Sequence, residues 1–234
     1  RFVQRGQWDR FESRLPTHAR QTLDLLDRHG VRATFFVLGW IAEHFPEIVQ
    51  EIADRGHEVA SRGYYHRALN AMTPQEFRED LARARLVLER ACGRKVVGYR
   101  TADGWLSPDD LWALDILASE GYAYDSSITP IGRRFSDQPW RHYLHTHKTA
   151  SGPILEVPVS GARICGFSIP IGGGNWVRQF PVSLMQAAAK RWIEAAHSPL
   201  VMYFQTWELD AEQPRLSTPG MMTRLRHYRN LHRM

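Results

Sequence analysis

Short, almost wholly apolar runs alternate with amphipathic helical stretches along the whole chain, and this alternation restricts the fold more than any other feature. The runs are VRATFFVL (31–38), HEVAS (57–61), VVGYR (96–100), YAYD (122–125), ILEVPV (154–159) and LVMYF (200–204). Strands covered by helices on both faces read this way, because neither face needs polar residues for water. The intervening stretches carry helix start and stop signals. Thr17–His29 reads as a helix capped by Thr17 after Pro16 and stopped by Gly30, and Ile41–Arg55 reads as another. Thr73-Pro74-Gln75-Glu76 is a capping box opening a helix that ends at Gly93. Ser107-Pro108-Asp109-Asp110 starts one that ends at Gly121, and Pro181–Ala196 is the last. The prediction is an α/β fold with a parallel sheet, closed or nearly closed into a barrel, whose C-terminal strand ends surround one site.

Composition sets bounds. The 234 residues, 43% hydrophobic and 24% charged, suit a globular chain, expected to be one domain over 1–234. The longest apolar run, Ala33–Ala42, is about half of what a membrane span requires, so no transmembrane segment is expected. Cys92 and Cys165 are isolated; reduced thiols fit a cytoplasmic setting better than a disulfide framework. The formal charge of +5 favours anionic partners, with arginines at Arg83, Arg85, Arg90 and Arg94 and in the tail RLRHYRNLHRM. No nucleic-acid-binding signature accompanies that charge, so specific nucleic-acid binding is not expected.

The strand ends carry the chemistry: Arg62 and His66, Arg100 to Gly104, Asp125, and Gln205 to Glu208. Within HEVASRGYYH, two histidines four residues apart after a strand would both reach one divalent ion. The first of those positions is Arg62, whose guanidinium offers no lone pair to a metal. The loop at Arg133–Ala150 adds His142, His145 and His147, and Gly172-Gly173-Gly174 reads as a tight backbone bend near the site, lacking the lysine of a P-loop. Trp40, Tyr64, Tyr65, Trp105, Trp140, Trp176 and Trp207 include rings suited to stacking on sugars.

In order, ATFFVLGW, GHEVASRGYYH, GYR, YDSS, EVP and YFQTWELD resemble the NodB-type polysaccharide deacetylases (carbohydrate esterase family 4) from about Trp8 to the C-terminus. The subgroup tied to bacterial exopolysaccharide loci is the most similar. The resemblance implies a distorted (β/α) barrel of about seven strands, its first strand preceding Arg1. It also implies a divalent metal, usually zinc, held by one aspartate and two histidines, with an aspartate as base and a histidine as acid. Transferred by position, Arg62 stands for the first metal histidine and His66 for the second. Arg100 orients the base, Asp125 supports the acid, and Gln205 replaces the acid histidine.

No cofactor is therefore expected, with at most weak metal binding through His66. The leading expectation is a carbohydrate-binding member without metal-dependent deacetylation, contacting sugar through Arg62, Tyr64, Trp105, Trp176, Trp207 and Glu208. A repurposed metal-free hydrolase would use Arg62 as oxyanion holder with Asp103 and Glu208 as acid and base. A deacetylase with ligands from His142, His145 or His147 is a third reading, and a basic nucleic-acid or membrane-surface binder a fourth.

Overall fold

A computed structural model describes residues 13–102, 106–129, 131–132, 134–164, 167–213, 220 and 227–233. One six-stranded sheet organises them. Strands β1 (Thr34–Val37), β2 (Glu58–Ser61), β3 (Gly98–Tyr99), β4 (Tyr124–Asp125) and β6 (Gly152–Glu156) run parallel in that order. β5 (His145–Thr149) closes the edge antiparallel to β6. A separate hairpin joins β7 (Gly161–Ile164) to β8 (Phe167–Pro170).

The helices α1 (Leu15–Arg28), α2 (Gly39–His44), α3 (Pro46–Asp54), α4 (Pro74–Cys92) and α5 (Trp112–Ser119) follow the βα order read from the sequence. α4 is the central packing element. Its capping box is complete, with Thr73 Oγ1 accepting from the Glu76 N–H and the Glu76 carboxylate accepting from the Thr73 N–H. It stops at Gly93, whose φ of 66° is open to glycine and strained for other residues. Phe77, Leu81, Ala84 and Leu88 on one α4 face are fully buried against Ile48, Val49 and Ile52 of α3 and Leu114 and Leu117 of α5. Each such leucine contributes about 2 kcal/mol by leaving water. A smaller core gathers Ile171, Met185 and Trp192 beneath α7 (Val182–Ala195), next to α6 (Gly174–Gln179).

Four expectations are corrected. α1 begins at Leu15 with Pro16 in its first turn, so Thr17 lies inside the helix and does not cap it. The helix expected over Ile41–Arg55 is two helices broken at Phe45, because Pro46 disfavours helical backbone in the residue before it. Part of the stretch expected to be irregular, 133–150, is β5; its HTHKT alternates between half-buried and exposed as an edge strand does. Leu200–Phe204 is extended but joins no sheet: its ladder is a single bridge between Tyr203 and Gly173. Among the described residues the sheet ends at β1 on one side and at β5 on the other. The result is an α/β fold with a mainly parallel sheet whose hydrogen-bonded ladder is not closed into a barrel.

Candidate functional site

Backbone register fixes which side chains share a face at the strand ends. Val37, Ser61, Tyr99, Asp125 and Glu156 form one row across β1, β2, β3, β4 and β6. The next residues are locked in step: Arg62 N–H donates to the Val37 carbonyl, Arg100 to Ser61, Ser126 to Tyr99, and Val157 to Asp125, at 2.8–3.0 Å. Because successive residues of a strand face opposite ways, the two rows serve opposite faces. The row with Tyr99 faces the helices: Tyr99 meets Phe77 of α4 edge-on at 5.6 Å. The row with Arg62, Arg100 and Ser126 faces the other side.

On the helix side lies a carboxyl pair. Asp125 and Glu156 are fully buried and adjacent in register. Asp125 accepts from the Ser127 hydroxyl at 2.6 Å and its N–H at 3.1 Å, and Glu156 Oε1 accepts from the Ile128 N–H at 2.9 Å. Burial raises the affinity of both for protons, most strongly at Glu156, where the Asp125 charge adds to it. Glu156 Oε2 is buried with no donor facing it. A neutral Glu156 that donates a hydrogen bond to Asp125 accounts for both facts.

On the other side, Arg100 is almost wholly buried. One guanidinium nitrogen donates to Ser126 Oγ at 3.2 Å, and the group lies 4.7 Å from the Tyr203 ring centre and 5.8 Å from that of Phe36. Its acidity is raised, to a pKa of about 10, by burial first and the positive charge of Arg62 second. Arg62 is half-buried and donates to the Ala102 carbonyl at 3.0 Å. Tyr203 is held by close backbone approach: a Cβ on Gly173 would come within 2.9 Å of its ring, and one on Gly172 within 2.3 Å of the Val201 carbonyl oxygen. The glycine run is thus a tight bend beside the site.

The other candidate residues are dispersed. Tyr64 is corrected from groove to core: it is 1% exposed, donates to Glu43, accepts from Arg83 and lies under the Arg83 guanidinium at 3.6 Å. Glu208 is likewise removed from the acid–base candidates. It is buried in an ion pair with Arg178 at 2.8 Å, while Arg178 also donates to the His227 and Arg229 carbonyls. That pair ties the C-terminal segment to α6 and was not foreseen. Trp176 stacks on Phe180 within the small core. Trp207 stacks on His227 at 4.2 Å and donates through its indole N–H to Gln205 Oε1 at 2.6 Å. Gln205 is exposed, whereas Asp125 is buried and accepts from the Ser127 hydroxyl and N–H. Asp103 and Trp105 lie outside the described residues.

The fit to a divalent metal is poor. His66 is half-buried in the loop after β2, but the companion position holds the Arg62 guanidinium, bound to a carbonyl. Among the described residues no group of three or more His, Cys, Asp or Glu side chains is placed to hold an ion. The loop histidines do not substitute. His142 donates to the Arg134 carbonyl, His145 to that of Tyr143, and His147 accepts from Arg141. Two of the clustered arginines are also engaged internally, Arg83 with Tyr64 and Arg85 with Tyr122 and the Glu120 carbonyl, which weakens a nucleic-acid reading of that helix. Among the described residues no helix is long and apolar enough to cross a membrane.

Comparison with known proteins agrees with the fold. Residues 8–123 match the family model for polysaccharide deacetylase, and residues 126–234 match that for the domain of unknown function DUF3473. The boundary falls within one sheet, at β4. A peptidoglycan-N-acetylglucosamine deacetylase of Bacillus cereus is 41% identical over 94 residues, 40% of this chain and 34% of that protein. A chitooligosaccharide deacetylase of Bradyrhizobium sp. is 32% identical over 101 residues, 43% of this chain and 44% of that one. The matched part therefore spans less than half the length of these relatives. The crystal structure of a Mycobacterium smegmatis protein assigned to the polysaccharide deacetylases superposes with a TM-score of 0.62 at 23% identity, covering 90% of this chain and 68% of that one, a likeness of fold. Motif order and these matches agree: residues 8–123 of the chain carry a polysaccharide deacetylase domain.

Proposed function

We propose that this chain binds carbohydrate in exopolysaccharide metabolism through the strand-end groove of the family, without catalysing metal-dependent deacetylation. The observation that carries the reading is Arg62. At the position aligned with a metal-binding histidine stands a cation fixed to the Ala102 carbonyl. A guanidinium repels a divalent ion and cannot ligate it. Gln205, at the position aligned with the acid, has an amide that gives no proton to a leaving amine near neutral pH. The relatives named above supply the substrate class, N-acetylated glycans of the peptidoglycan or chitin type or polymers related to them. The metal-free hydrolase reading loses Glu208 to its ion pair with Arg178. A cytoplasmic setting belongs to the same proposal and rests on Cys92, a buried free thiol bonded to the Arg94 carbonyl.

The test is direct. The chain is incubated with acetylated chito-oligosaccharides and a panel of bacterial exopolysaccharides, with added zinc and with chelator. Acetate release should stay at background in both, while calorimetry detects binding to at least one glycan that chelator leaves unchanged. Zinc-dependent acetate release would overturn the reading.

A further inference from the structure

We propose that Asp80 on α4 is a positioning residue of the strand-end site, holding the loop 62–66 so that Arg62 is presented to the ligand. The inference rests on the carbohydrate-binding reading above and adds the residue that sets the site's geometry. It begins from the backbone of the loop. After β2 the Arg62 N–H still donates to the Val37 carbonyl of β1 at 2.9 Å, and the Gly63 N–H turns back to Ser61 Oγ at 3.2 Å. The next two N–H groups go to Asp80, Tyr64 donating to Oδ2 at 2.7 Å and Tyr65 to Oδ1 at 3.4 Å. Both oxygens of one side chain thus accept from consecutive peptide groups. The carbonyls of the loop are held from the other side. Those of Gly63 and Tyr64 accept from the Gly39 and Trp40 N–H groups at the start of α2, at 2.9 and 3.1 Å.

Gly63 shows how close Asp80 comes and why the loop needs it. A Cβ at that position would lie 2.6 Å from Asp80 Oδ2, and its φ is 77°. Glycine admits many other backbone conformations, each of which would swing the neighbouring Arg62 away from the strand end. Asp80 removes that freedom from a fixed base, since Phe77, Leu81 and Ala84 around it on α4 are fully buried. With the loop held, the Arg62 guanidinium reaches the Ala102 carbonyl beyond β3 at 3.0 Å. Asp80 and Arg62 also act on one common group. The Tyr99 hydroxyl is made less acidic by burial first and then by Asp125 and Asp80, while Arg62 shifts it the other way. The loop keeps further anchors without Asp80, because the Tyr64 hydroxyl bonds Glu43 and Arg83, so variants at position 80 are expected to fold.

The experiment uses Asp80→Asn, which keeps one acceptor oxygen, and Asp80→Ala, which keeps none. Glu89→Gln is the control: on the same helix, Glu89 accepts the Val96 N–H at 2.9 Å, at the strand-entry end of the sheet. Amide hydrogen exchange at Tyr64 and Tyr65 is measured well below each melting temperature. Calorimetry in parallel gives the affinity for acetylated chitopentaose and for the panel of bacterial exopolysaccharides. In Asp80→Ala the two amides should exchange about tenfold faster or more, and affinity should fall about tenfold, with Asp80→Asn between. Glu89→Gln should leave both readings unchanged. In an Arg62→Gln background Asp80→Ala should cost little further affinity, because the side chain it positions is gone. Should Asp80→Ala not fold, the same comparisons are made with Asp80→Asn. Unchanged exchange, unchanged affinity, or an equal loss of affinity in the Arg62→Gln background overturns the inference and leaves the carbohydrate reading standing. A matching loss in Glu89→Gln shows general loosening of α4 and overturns it as well. Failure of the unaltered chain to bind any of these glycans overturns both.

Discussion

Asp125 and Glu156 stand opposite each other on adjacent parallel strands, both wholly excluded from solvent, and burial raises the proton affinity of both, most strongly that of Glu156. A pair of ionised carboxylates in that position would be strongly unfavourable, whereas an acid donating to a carboxylate satisfies both. The pair faces the helices and anchors the loop 126–129 through the Ser127 and Ile128 N–H groups. It is a structural feature of the sheet directly behind the arginine row.

A pH dependence follows with a definite sign. Folding raises the proton affinity of both groups, so the folded state holds a proton that the unfolded chain releases. Stability therefore falls as pH rises from the ordinary carboxylate range upward. In Glu156→Gln the new amide donates to Asp125 and its oxygen still accepts from the Ile128 N–H, with nothing left to titrate at that position. Urea unfolding at pH 5, 6, 7 and 8 should show a shallower decline for the variant, and a stability difference moving in its favour by about 1 kcal/mol or more across the series. Parallel curves would show that the pair carries no shared proton.

The Arg178–Glu208 pair tests a different kind of burial. Side-chain exposures of 1% and 3% leave neither charge a route to water. Removing one partner strands the other, at a cost of about 3–5 kcal/mol. Glu208→Gln should therefore lower stability strongly, while Arg178→Met with Glu208→Leu should cost clearly less than the two single changes added. Because Arg178 also binds the His227 and Arg229 carbonyls, limited proteolysis of Arg178→Met should cut first near the C-terminal segment. An additive double variant with unchanged cleavage would refute this coupling.

What the sequence disclosed depended on how local each signal was. α4 was legible end to end because Thr73, Glu76 and Gly93 state its boundaries within the helix itself. The break at Phe45 was also written in the sequence, as a residue before proline, but apolar residues at helical spacing on both sides concealed it. β5 was missed since HTHKT lacks apolar residues; its strand character comes from pairing with β6. Leu200–Phe204 has the composition of a buried strand, yet composition does not supply the neighbour that would pair with it. The site divides in the same way. Arg62 and Arg100 were found because they end strands, and Gly172–Gly174 because a glycine run marks close backbone approach. Glu156 escaped because its partner is remote in sequence, so within ILEVPV it is one charge in an apolar run. Tyr64 and Glu208 were misplaced because their partners, Glu43 with Arg83 and Arg178, are brought to them by helix packing alone.

Gly172 separates steric need from flexibility. A methyl group there would sit 2.3 Å from the Val201 carbonyl oxygen and 3.0 Å from the Met202 Cα, both backbone atoms that cannot rotate away. Gly172→Ala should displace 201–204, costing roughly 2–4 kcal/mol. Gly121→Ala, where no atom lies within 4 Å and only a φ of 78° is strained, should cost about 1 kcal/mol. Thermal melts of the two variants decide the order, and near-equal losses would show that the segment yields to the added methyl.

Rebuilding the family histidines should not rebuild the family chemistry. Arg62→His restores one imidazole beside His66, which gives two nitrogen ligands where catalytic zinc sites use three protein groups. Among the described residues of the native chain no group of three His, Cys, Asp or Glu side chains is placed to hold an ion. Gln205→His places a histidine on an exposed segment against Trp207, while the aspartate aligned to support it, Asp125, is held on the helix side of the sheet by Ser127 and Glu156. An imidazole there lacks the aligned aspartate that would orient it and favour its protonated form. The double variant of this chain should therefore release acetate from acetylated chito-oligosaccharides no faster in zinc than in chelator. A zinc-dependent rate at least tenfold above the chelated control would show that a ligand and a base reach this site from residues other than those placed here.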